Sequence, residues 1–285
     1  MPRTKLAGVS GTPSARRPPC VLSIAGSDSG GGAGIQADLK AFAACGAHGM
    51  TAITAITAQS TVGVTGVQAI EPRMILAQVR AVAEDIGVDA VKIGMLGTAA
   101  TIEAVAQALD ELHEPPGERV PVVLDPVMVA ESGAELLAAE ARGALVELLL
   151  PRATVVTPNV PEARALVGDE SDGETDGEPD AVALARALHG LGPQIVVVTG
   201  GHRAQATDVF FDGRQVVEIP GERYPDAAAH GSGCTHSSVL AARLAWGDAP
   251  LQAARTAKRR ASEAVRDGLV AVGKGTGPVD ILGVT

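Results

Sequence analysis

The chain has 285 residues, of which 46% are hydrophobic, 20% are charged and only 2% are aromatic, and its formal net charge is −10. This hydrophobic content excludes a disordered protein over most of the length, and the length suits one large α/β domain or two small ones. An acidic chain with so few aromatic side chains is a poor candidate for binding nucleic acid, so no nucleic-acid partner is expected.

Short β-branched apolar runs alternate along the chain with longer helical patterns. In chain order, the predicted strands are 21–25, 49–58, 62–70, 90–93, 120–124, 154–157, 195–199, 209–211 and 215–219. The predicted helices are 33–45, 72–86, 98–112, 138–149, 180–191, 233–246 and 250–267. This alternation predicts an α/β fold in which helices cover both faces of a mostly parallel sheet. The last two strands, joined at Asp212-Gly213, are predicted to form a hairpin at the sheet edge.

Two polar segments fall outside these elements. Residues 1–19 are basic and rich in Gly, Pro and Ser, and they lack the apolar middle of a signal peptide, so they are predicted to be a disordered tail before a single domain at 20–285. Residues 169–180, "DESDGETDGEPD", hold seven acidic residues in twelve and are predicted to form a solvated, flexible loop. This loop lacks the spacing of a calcium-binding loop.

The three cysteines, Cys20, Cys45 and Cys234, form no CxxC motif. This pattern argues against a disulfide scaffold or a structural zinc site and favours the reducing cytoplasm. No apolar run reaches the length of about 18 residues that a membrane-spanning helix needs, so no membrane partner is expected.

Two glycine-rich stretches resemble nucleotide-binding motifs without matching them. In "AGSDSGGGAGIQADLK", 25–40, a strand leads through glycines into a helix, but no acidic residue between Asp38 and Glu71 is available for a ribose, which argues against a dinucleotide-binding fold. In "GLVAVGKG", 268–275, Gly275 replaces the Ser or Thr of a P-loop, and no helix is predicted to follow. This second stretch is interpreted as a glycine turn near a nucleotide.

A third glycine-rich stretch, "AAAHGSGCTHSS" at 227–238, precedes an apolar helix. Gly231, Ser232 and Gly233 would present free N–H groups at the positive end of the helix dipole, which suits a transferring phosphoryl group. Cys234 lies in the first turn, where the dipole is expected to lower the thiol pKa below its usual value of about 8.5, so that the thiol could act as a base toward a substrate hydroxyl. The alternative is that Cys234 is a small buried core residue.

The stretch "TPNVPEA", 157–163, follows a predicted strand. Asn159 and Glu162 are three residues apart, so they share one face of a turn or opening helix, and their oxygens suit magnesium. The alternative is a capping box, in which Asn159 and Glu162 only satisfy the first turn of a helix.

Eight motifs occur in an order that is typical of one family: "SIAGSDSGGGAGIQADLK", "TAITAQSTVGV", "KIGML", "DPVMVAESG", "TPNVPEA", "GGH", "HGSGCT" and "GKGTGPVD". Over about residues 20–280 the chain closely resembles the hydroxymethylpyrimidine/phosphomethylpyrimidine kinases of thiamine biosynthesis, in the ribokinase-like superfamily. The resemblance implies a three-layer α/β/α sandwich, ATP and Mg²⁺ as cofactors, a small pyrimidine as substrate and a homodimer, which is common in the family.

The resemblance also implies roles for individual residues. Gly231, Ser232 and Gly233 would form the anion hole, and Cys234 would be the base. The pyrimidine pocket would be lined by Gly26, Asp38, Gln59, Met95 and Val122. The nucleotide and magnesium side would include Asn159, Glu162, Thr199, Gly201 and Lys274.

Three positions depart from the family pattern. Glu131 and Thr199 stand where the family often has lysines, and Ser232 replaces a commoner threonine. The loss of two lysines near an anionic nucleotide is expected to weaken the second phosphorylation more than the first. Pyridoxal or pyridoxamine kinase activity is the alternative function, because relatives with the same cysteine-containing anion hole act on vitamin B6 compounds. A non-catalytic pyrimidine-binding protein is a remote third possibility, disfavoured by the intact "HGSGCT".

Overall fold

The computed structural model describes residues 17–113, 119–130, 133–134, 136–138, 140–169, 180–200, 206–224 and 227–284. The strands are β1 Cys20–Asp28, β2 His48–Ser60, β3 Gly63–Ala69, β4 Ala90–Ile93, β5 Val122–Leu124, β6 Val155–Val156, β7 Ile195–Val198, β8 Asp208–Phe211 and β9 Val216–Ile219. The α-helices are α1 Gly34–Ala44, α2 Pro72–Asp85, α3 Ala99–Leu112, α4 Ala141–Ala144, α5 Val160–Val167, α6 Ala181–His189, α7 Ser232–Ala245 and α8 Pro250–Arg266. Across these ranges, no helix is both long and apolar enough to cross a membrane.

All the strands belong to one sheet, in the order β3-β2-β1-β4-β5-β6-β7-β8-β9. The six central strands, from β2 to β7, are parallel, whereas β3, β8 and β9 pair antiparallel at the two edges. The predicted mostly parallel sheet and the edge hairpin are therefore confirmed. Val91 and Ile93 of β4 and the run Ile195–Val198 of β7 are buried because helices cover both faces of these strands.

The hydrophobic core has two parts, one on each face of the sheet. Side chains of α2 to α6 pack on one face, and side chains of α1, α7 and α8 pack on the other. This is the three-layer α/β/α sandwich that the sequence predicts. Because the parallel strands run in one direction, their carboxyl ends meet at one edge of the sheet, where α/β proteins bind ligands.

The prediction of one regular α-helix at 138–149 is wrong. The structure has only the short α4, followed by a π-helical segment at Leu145–Leu149 and a 3₁₀ turn at Leu150–Arg152. Gly143 weakens the α-helix, and Pro151 ends any regular continuation. The sequence also assigned no helix of its own to 160–167, where the structure has α5.

Most of both polar segments, 1–16 and 170–179, lies outside the described residues. The end of the predicted tail, however, contacts the fold. Pro19 accepts a hydrogen bond from the His48 N–H at 2.9 Å, and the Arg17 guanidinium lies 3.2 Å from the Asp89 carboxylate.

Candidate active site

The turn at residues 230–234, where α7 begins, is the candidate anion site and is named the anion loop. Gly231 has φ = +84°, a left-handed conformation that favours glycine. The Ser232 N–H donates to the Ala229 carbonyl at 3.0 Å, so the prediction that Ser232 presents a free N–H is wrong. The N–H groups of Gly233 and Cys234 have no hydrogen-bond partner among the described residues. A Cβ atom on Gly233 would meet nothing within 4 Å, so open space lies beside these donors. Two free N–H groups at the positive end of a helix of 14 residues are suited to binding a phosphoryl group.

Cys234 lies beside the loop that follows β1. The residue keeps some exposed surface, but its thiol is desolvated, and this burial raises the pKa of the thiol to about 12. The carboxylates of Asp38 and Asp125 also raise it, whereas the Lys92 ammonium and the Gly34 N–H lower it. The predicted lowering of the Cys234 pKa is therefore wrong, because burial outweighs the favourable charges. The free protein carries a neutral thiol at pH 7, and a base role depends on a small thiolate fraction.

Three of the predicted pyrimidine-binding residues lie around this position. A Cβ on Gly26 would be 3.1 Å from the Met95 sulfur, and a Cβ on Gly34 would be 2.4 Å from the Gly26 carbonyl oxygen. The Gln59 backbone is held by Ser29, whose hydroxyl donates to the Gln59 carbonyl at 2.7 Å.

Gln59 also borders a cavity of about 320 Å³. The cavity is lined by Gln59, Ser60, Thr61, Val62, Ala130, His230, Gly275 and Thr276. Its lining includes His230, which directly precedes Gly231 in the chain.

Asp38 and Val122 do not line this cavity. Asp38 is fully buried, and its oxygens accept hydrogen bonds from Lys92 at 2.8 Å, Ser238 at 2.8 Å and Ser23 at 2.5 Å. Val122 is a core residue at the start of β5, in register with Val91 of β4. In this structure Asp38 balances the fully buried Lys92, and neither Asp38 nor Val122 has a surface that faces the cavity.

Asp28 joins the glycine loop after β1 to the loop before α7. Its Oδ1 accepts the Gly30 N–H at 2.7 Å, and its Oδ2 accepts the Gly32 and Ala33 N–H groups at 3.0 and 2.8 Å. His230 Nε2 lies 3.1 Å from the same Oδ2. Burial alone would raise the pKa of Asp28, but His230 and the backbone donors outweigh it and lower the pKa. The sequence prediction missed this residue, although an aspartate just before a run of glycines is typical of a turn.

Asn159 and Glu162 form the capping box that was the alternative interpretation of this motif. The Glu162 N–H donates to Asn159 Oδ1 at 2.8 Å, and the Asn159 N–H donates to Glu162 Oε2 at 2.9 Å. Burial and the negative charge of Asp125 raise the pKa of Glu162 to about 8. Burial also raises the pKa of Asp125, which directly follows β5 and was not predicted as a site residue.

The Asp125–Glu162 pair fits a divalent cation. Two buried carboxylates that repel each other would be stabilised by positive charge between them, and oxygen donors are those that Mg²⁺ prefers. Within the described ranges, no group of three or more His, Cys, Asp and Glu side chains could hold a metal ion. Magnesium would therefore take its remaining ligands from water and substrate phosphates, which is usual for this ion.

Thr199 and Lys274 are the remaining predicted nucleotide-binding residues that the structure describes. Thr199 forms a β-bridge with Asn159, and its N–H donates to the Pro158 carbonyl at 2.8 Å. Lys274 lies in an exposed turn whose backbone is held by Thr61, with a Lys274 N–H to Thr61 Oγ1 distance of 3.1 Å. No helix follows this turn within the described residues, in agreement with the rejection of a P-loop. Gly201 and Glu131 lie outside the described residues.

The chain is similar to known kinases over most of its length. Residues 28–280 match the phosphomethylpyrimidine kinase family. The hydroxymethylpyrimidine/phosphomethylpyrimidine kinase of Rhizobium meliloti is 46% identical over 261 residues, which is 90% of this chain and 95% of that protein.

Two solved structures share the fold. An ADP complex of Bacillus subtilis pyridoxal kinase is 38% identical with a TM-score of 0.81 and covers 92% of this chain and 97% of its own. A phosphomethylpyrimidine kinase from Clostridium difficile 630 is 38% identical with a TM-score of 0.73 and covers 87% of this chain and 99% of its own.

Proposed function

The chain belongs to the phosphomethylpyrimidine kinase family and is a phosphotransferase, and we propose that it uses ATP to phosphorylate 4-amino-5-hydroxymethyl-2-methylpyrimidine and then the resulting monophosphate, in thiamine biosynthesis. The observation that carries the proposal is the pair of N–H groups at Gly233 and Cys234, at the start of α7, which have no hydrogen-bond partner in the described part of the chain. A phosphoryl group in transfer needs such preorganised donors, because negative charge spreads over its oxygens in the transition state.

In the proposed reaction, the hydroxymethyl oxygen of the acceptor attacks the γ-phosphorus, the bond to the β-phosphate oxygen breaks and ADP leaves. Gln59 would hold the aminopyrimidine edge, since its amide offers both a donor and an acceptor. Cys234 would take the proton of the hydroxyl, and the Gly233 and Cys234 N–H groups would bind the phosphoryl oxygens. Magnesium, held by Asp125 and Glu162, would neutralise the phosphate charge.

Pyridoxal is the second candidate acceptor. The observation that favours it is the TM-score of 0.81 with a pyridoxal kinase. The two rings are similar in size, and both carry hydroxymethyl groups, so the cavity beside Gln59 has room for either.

The test is ADP release by the purified protein with MgATP and three separate acceptors: hydroxymethylpyrimidine, its monophosphate and pyridoxal. We expect turnover on both pyrimidines and little on pyridoxal. Cys234→Ala is the background control, because it keeps the fold and removes the proposed base. Turnover on pyridoxal alone would move the protein to vitamin B6 salvage and overturn the pyrimidine assignment.

Two further properties are proposed with this function. Cys20, Cys45 and Cys234 are all free thiols, which supports a place in the reducing cytoplasm. A homodimer is proposed from the family resemblance, and light scattering of the purified chain would test it.

A further inference from the structure

Asp208 is a fully buried carboxylate outside the site described above. It opens β8, and its Oδ1 accepts hydrogen bonds from Lys258 of α8 at 2.6 Å and from the Gly200 N–H at 2.9 Å. Its Oδ2 lies 3.2 Å from Nε2 of His236 in α7. One carboxylate thus holds two helices and the backbone that follows β7. Burial alone would raise the pKa of Asp208, but His236 and Lys258 outweigh it and lower the pKa.

The backbone bonded to Asp208 is continuous with Thr199, one of the residues proposed to bind the nucleotide. Gly200 follows Thr199, and Thr199 forms the β-bridge with Asn159, the N-cap residue of α5. Gly200 is also packed tightly against Thr207, the residue before β8, since a Cβ there would be 2.1 Å from the Thr207 carbonyl oxygen. The Asp208 bond to Gly200 and the Thr199 bridge to Asn159 therefore fix this piece of chain from two sides.

His236 connects Asp208 to α7, the helix that begins at the anion loop. His236 is 5% exposed and lies three residues after Gly233. Neither of its ring nitrogens, nor Asp208 Oδ2, has a well-aligned hydrogen bond among the described residues, although Nε2 and Oδ2 are close. This contact connects the helix of the anion loop with β8, whose Asp208 holds Gly200.

We propose that Asp208 is a positioning residue for nucleotide binding: through its bond to the Gly200 N–H it sets the position of Thr199 and Asn159 relative to the anion loop, while Lys258 keeps the buried carboxylate compensated. This inference rests on the proposed function for the identity of the nucleotide. Asp208 itself touches neither the cavity nor the anion loop, so it acts through the Gly200 backbone and through His236 of α7.

The test separates the loss of the hydrogen-bond acceptor for the Gly200 N–H from the loss of the buried charge of Asp208. Asp208→Val with Lys258→Met removes both charges together and leaves no acceptor for Gly200, and removing both partners avoids an unpaired buried charge. Asp208→Asn with Lys258→Met also removes both charges but keeps an amide oxygen that can accept the Gly200 N–H. Arg243→Met is the control, since it breaks the 2.8 Å pair with Asp248 near the other end of α7.

MgADP affinity by calorimetry is the main readout, with thermal unfolding as the check on folding. We expect the valine variant to bind MgADP at least tenfold more weakly, while the asparagine variant and Arg243→Met stay within threefold of wild type. In steady state, the valine variant should raise the KM for ATP and leave the KM for the acceptor unchanged.

A folded valine variant with wild-type MgADP affinity would overturn the proposal, and so would equal losses in the valine and asparagine variants. If the valine variant does not fold, Asp208→Ala with Lys258→Met, which also leaves no side-chain acceptor, replaces it and is judged by the same outcomes. The MgADP measurement needs no acceptor, so it stands even if no pyrimidine is phosphorylated, which would count against the proposed function alone.

Discussion

A Cβ atom on Gly231 would lie 1.8 Å from the carbonyl oxygen of Gly32, so the backbones of these two glycines are in direct contact. The contact joins the loop before α7 to the loop after β1, and the Asp28–His230 pair reinforces it. The loop before α7 and the glycine loop after β1 are thereby fixed relative to each other.

This contact makes Gly231 and Gly233 a matched pair for mutation. Gly231→Ala should destabilise the fold by at least about 2 kcal/mol, because it adds a left-handed residue to a steric clash. Gly233→Ala should leave the free energy of unfolding within about 1 kcal/mol of wild type, since its Cβ would enter open space and its φ is not positive.

In activity per folded molecule, Gly233→Ala should be the more damaging of the two variants. The Gly233→Ala methyl group would occupy the space proposed for the phosphoryl group, so kcat should fall at least about tenfold. Urea unfolding and ADP-release assays on both variants check this. A fully active Gly233→Ala enzyme would contradict the location of the anion site.

Cys234→Ala should lower kcat by about 10²–10⁴, the usual span for a general base, while ATP binding persists. Because burial raises the pKa of the thiol to about 12, the thiolate fraction grows with pH throughout the neutral and mildly alkaline range. The kcat/KM for the acceptor should therefore rise with pH above about 7 in the wild type and be flat in Cys234→Ala. Cys45→Ala is the control and should keep the wild-type profile; near-normal turnover of Cys234→Ala would rule out the base assignment.

Glu162→Gln should separate the capping role of this residue from its proposed role at the metal. A glutamine can still complete the capping box, so the loss of stability should be below about 1 kcal/mol. The Mg²⁺ concentration for half-maximal activity should rise at least tenfold, because one anionic ligand is lost. The exposed Glu147→Gln is the control.

The same variant should change the pH dependence of the magnesium requirement. With the pKa of Glu162 raised to about 8, the metal-free protein holds a proton there at neutral pH, and Mg²⁺ must displace it. Apparent Mg²⁺ affinity should therefore increase as the pH approaches about 8, and this increase should be absent in Glu162→Gln. Stability of the metal-free wild type should decline over the same rise in pH, because the raised pKa favours folding only while the proton is bound.

Lys92→Met should destabilise the fold strongly, by about 3–5 kcal/mol, because it leaves the Asp38 carboxylate buried without a counter-ion. Adding Asp38→Asn should recover much of this loss. The control is Arg80→Met, which breaks a 2.6 Å pair with Glu111 at the surface and should cost less than about 1 kcal/mol. Urea unfolding of the four proteins would test this, and equal effects of Lys92→Met and Arg80→Met would contradict it.

The sequence predicts local elements of this protein well, because strand and helix patterns are local. The buried strands and amphipathic helices on both faces of the sheet follow from periodicity alone. The π-helical segment at Leu145–Leu149 could not be predicted, since the pattern there is simply apolar and helical. The two-residue β6 is shorter than its apolar run, because only Val155 and Val156 pair with β5 and β7.

The candidate site was predicted where its chemistry lies in one short motif and missed where it depends on distant pairs. Gly231 to Cys234 and the Asn159–Glu162 pair are each contiguous or nearly so. Asp125, by contrast, becomes visible as a site residue only when it faces Glu162 in the folded chain. Lysine in the otherwise apolar β4 is the one local signal for a buried carboxylate partner, since a fully buried lysine is nearly always paired. That partner is Asp38, which the family resemblance had assigned to the pocket.

Helix α7 carries four consecutive buried polar residues, Thr235 to Ser238, in the middle of a protein core. Ser237 donates to Asp125 at 2.9 Å and Ser238 to Asp38 at 2.8 Å, while His236 faces Asp208. Successive helical residues point about 100° apart, so shifting the helix by one residue would turn every one of these groups away from its carboxylate. An apolar helix could slide or rotate by small steps at little cost, but α7 would lose its hydrogen bonds to these buried carboxylates if it did. The carboxylates of Asp38, Asp125 and Asp208 thus fix the rotation of α7 about its axis. The position of the anion loop at the N-terminus of α7 follows from these three contacts.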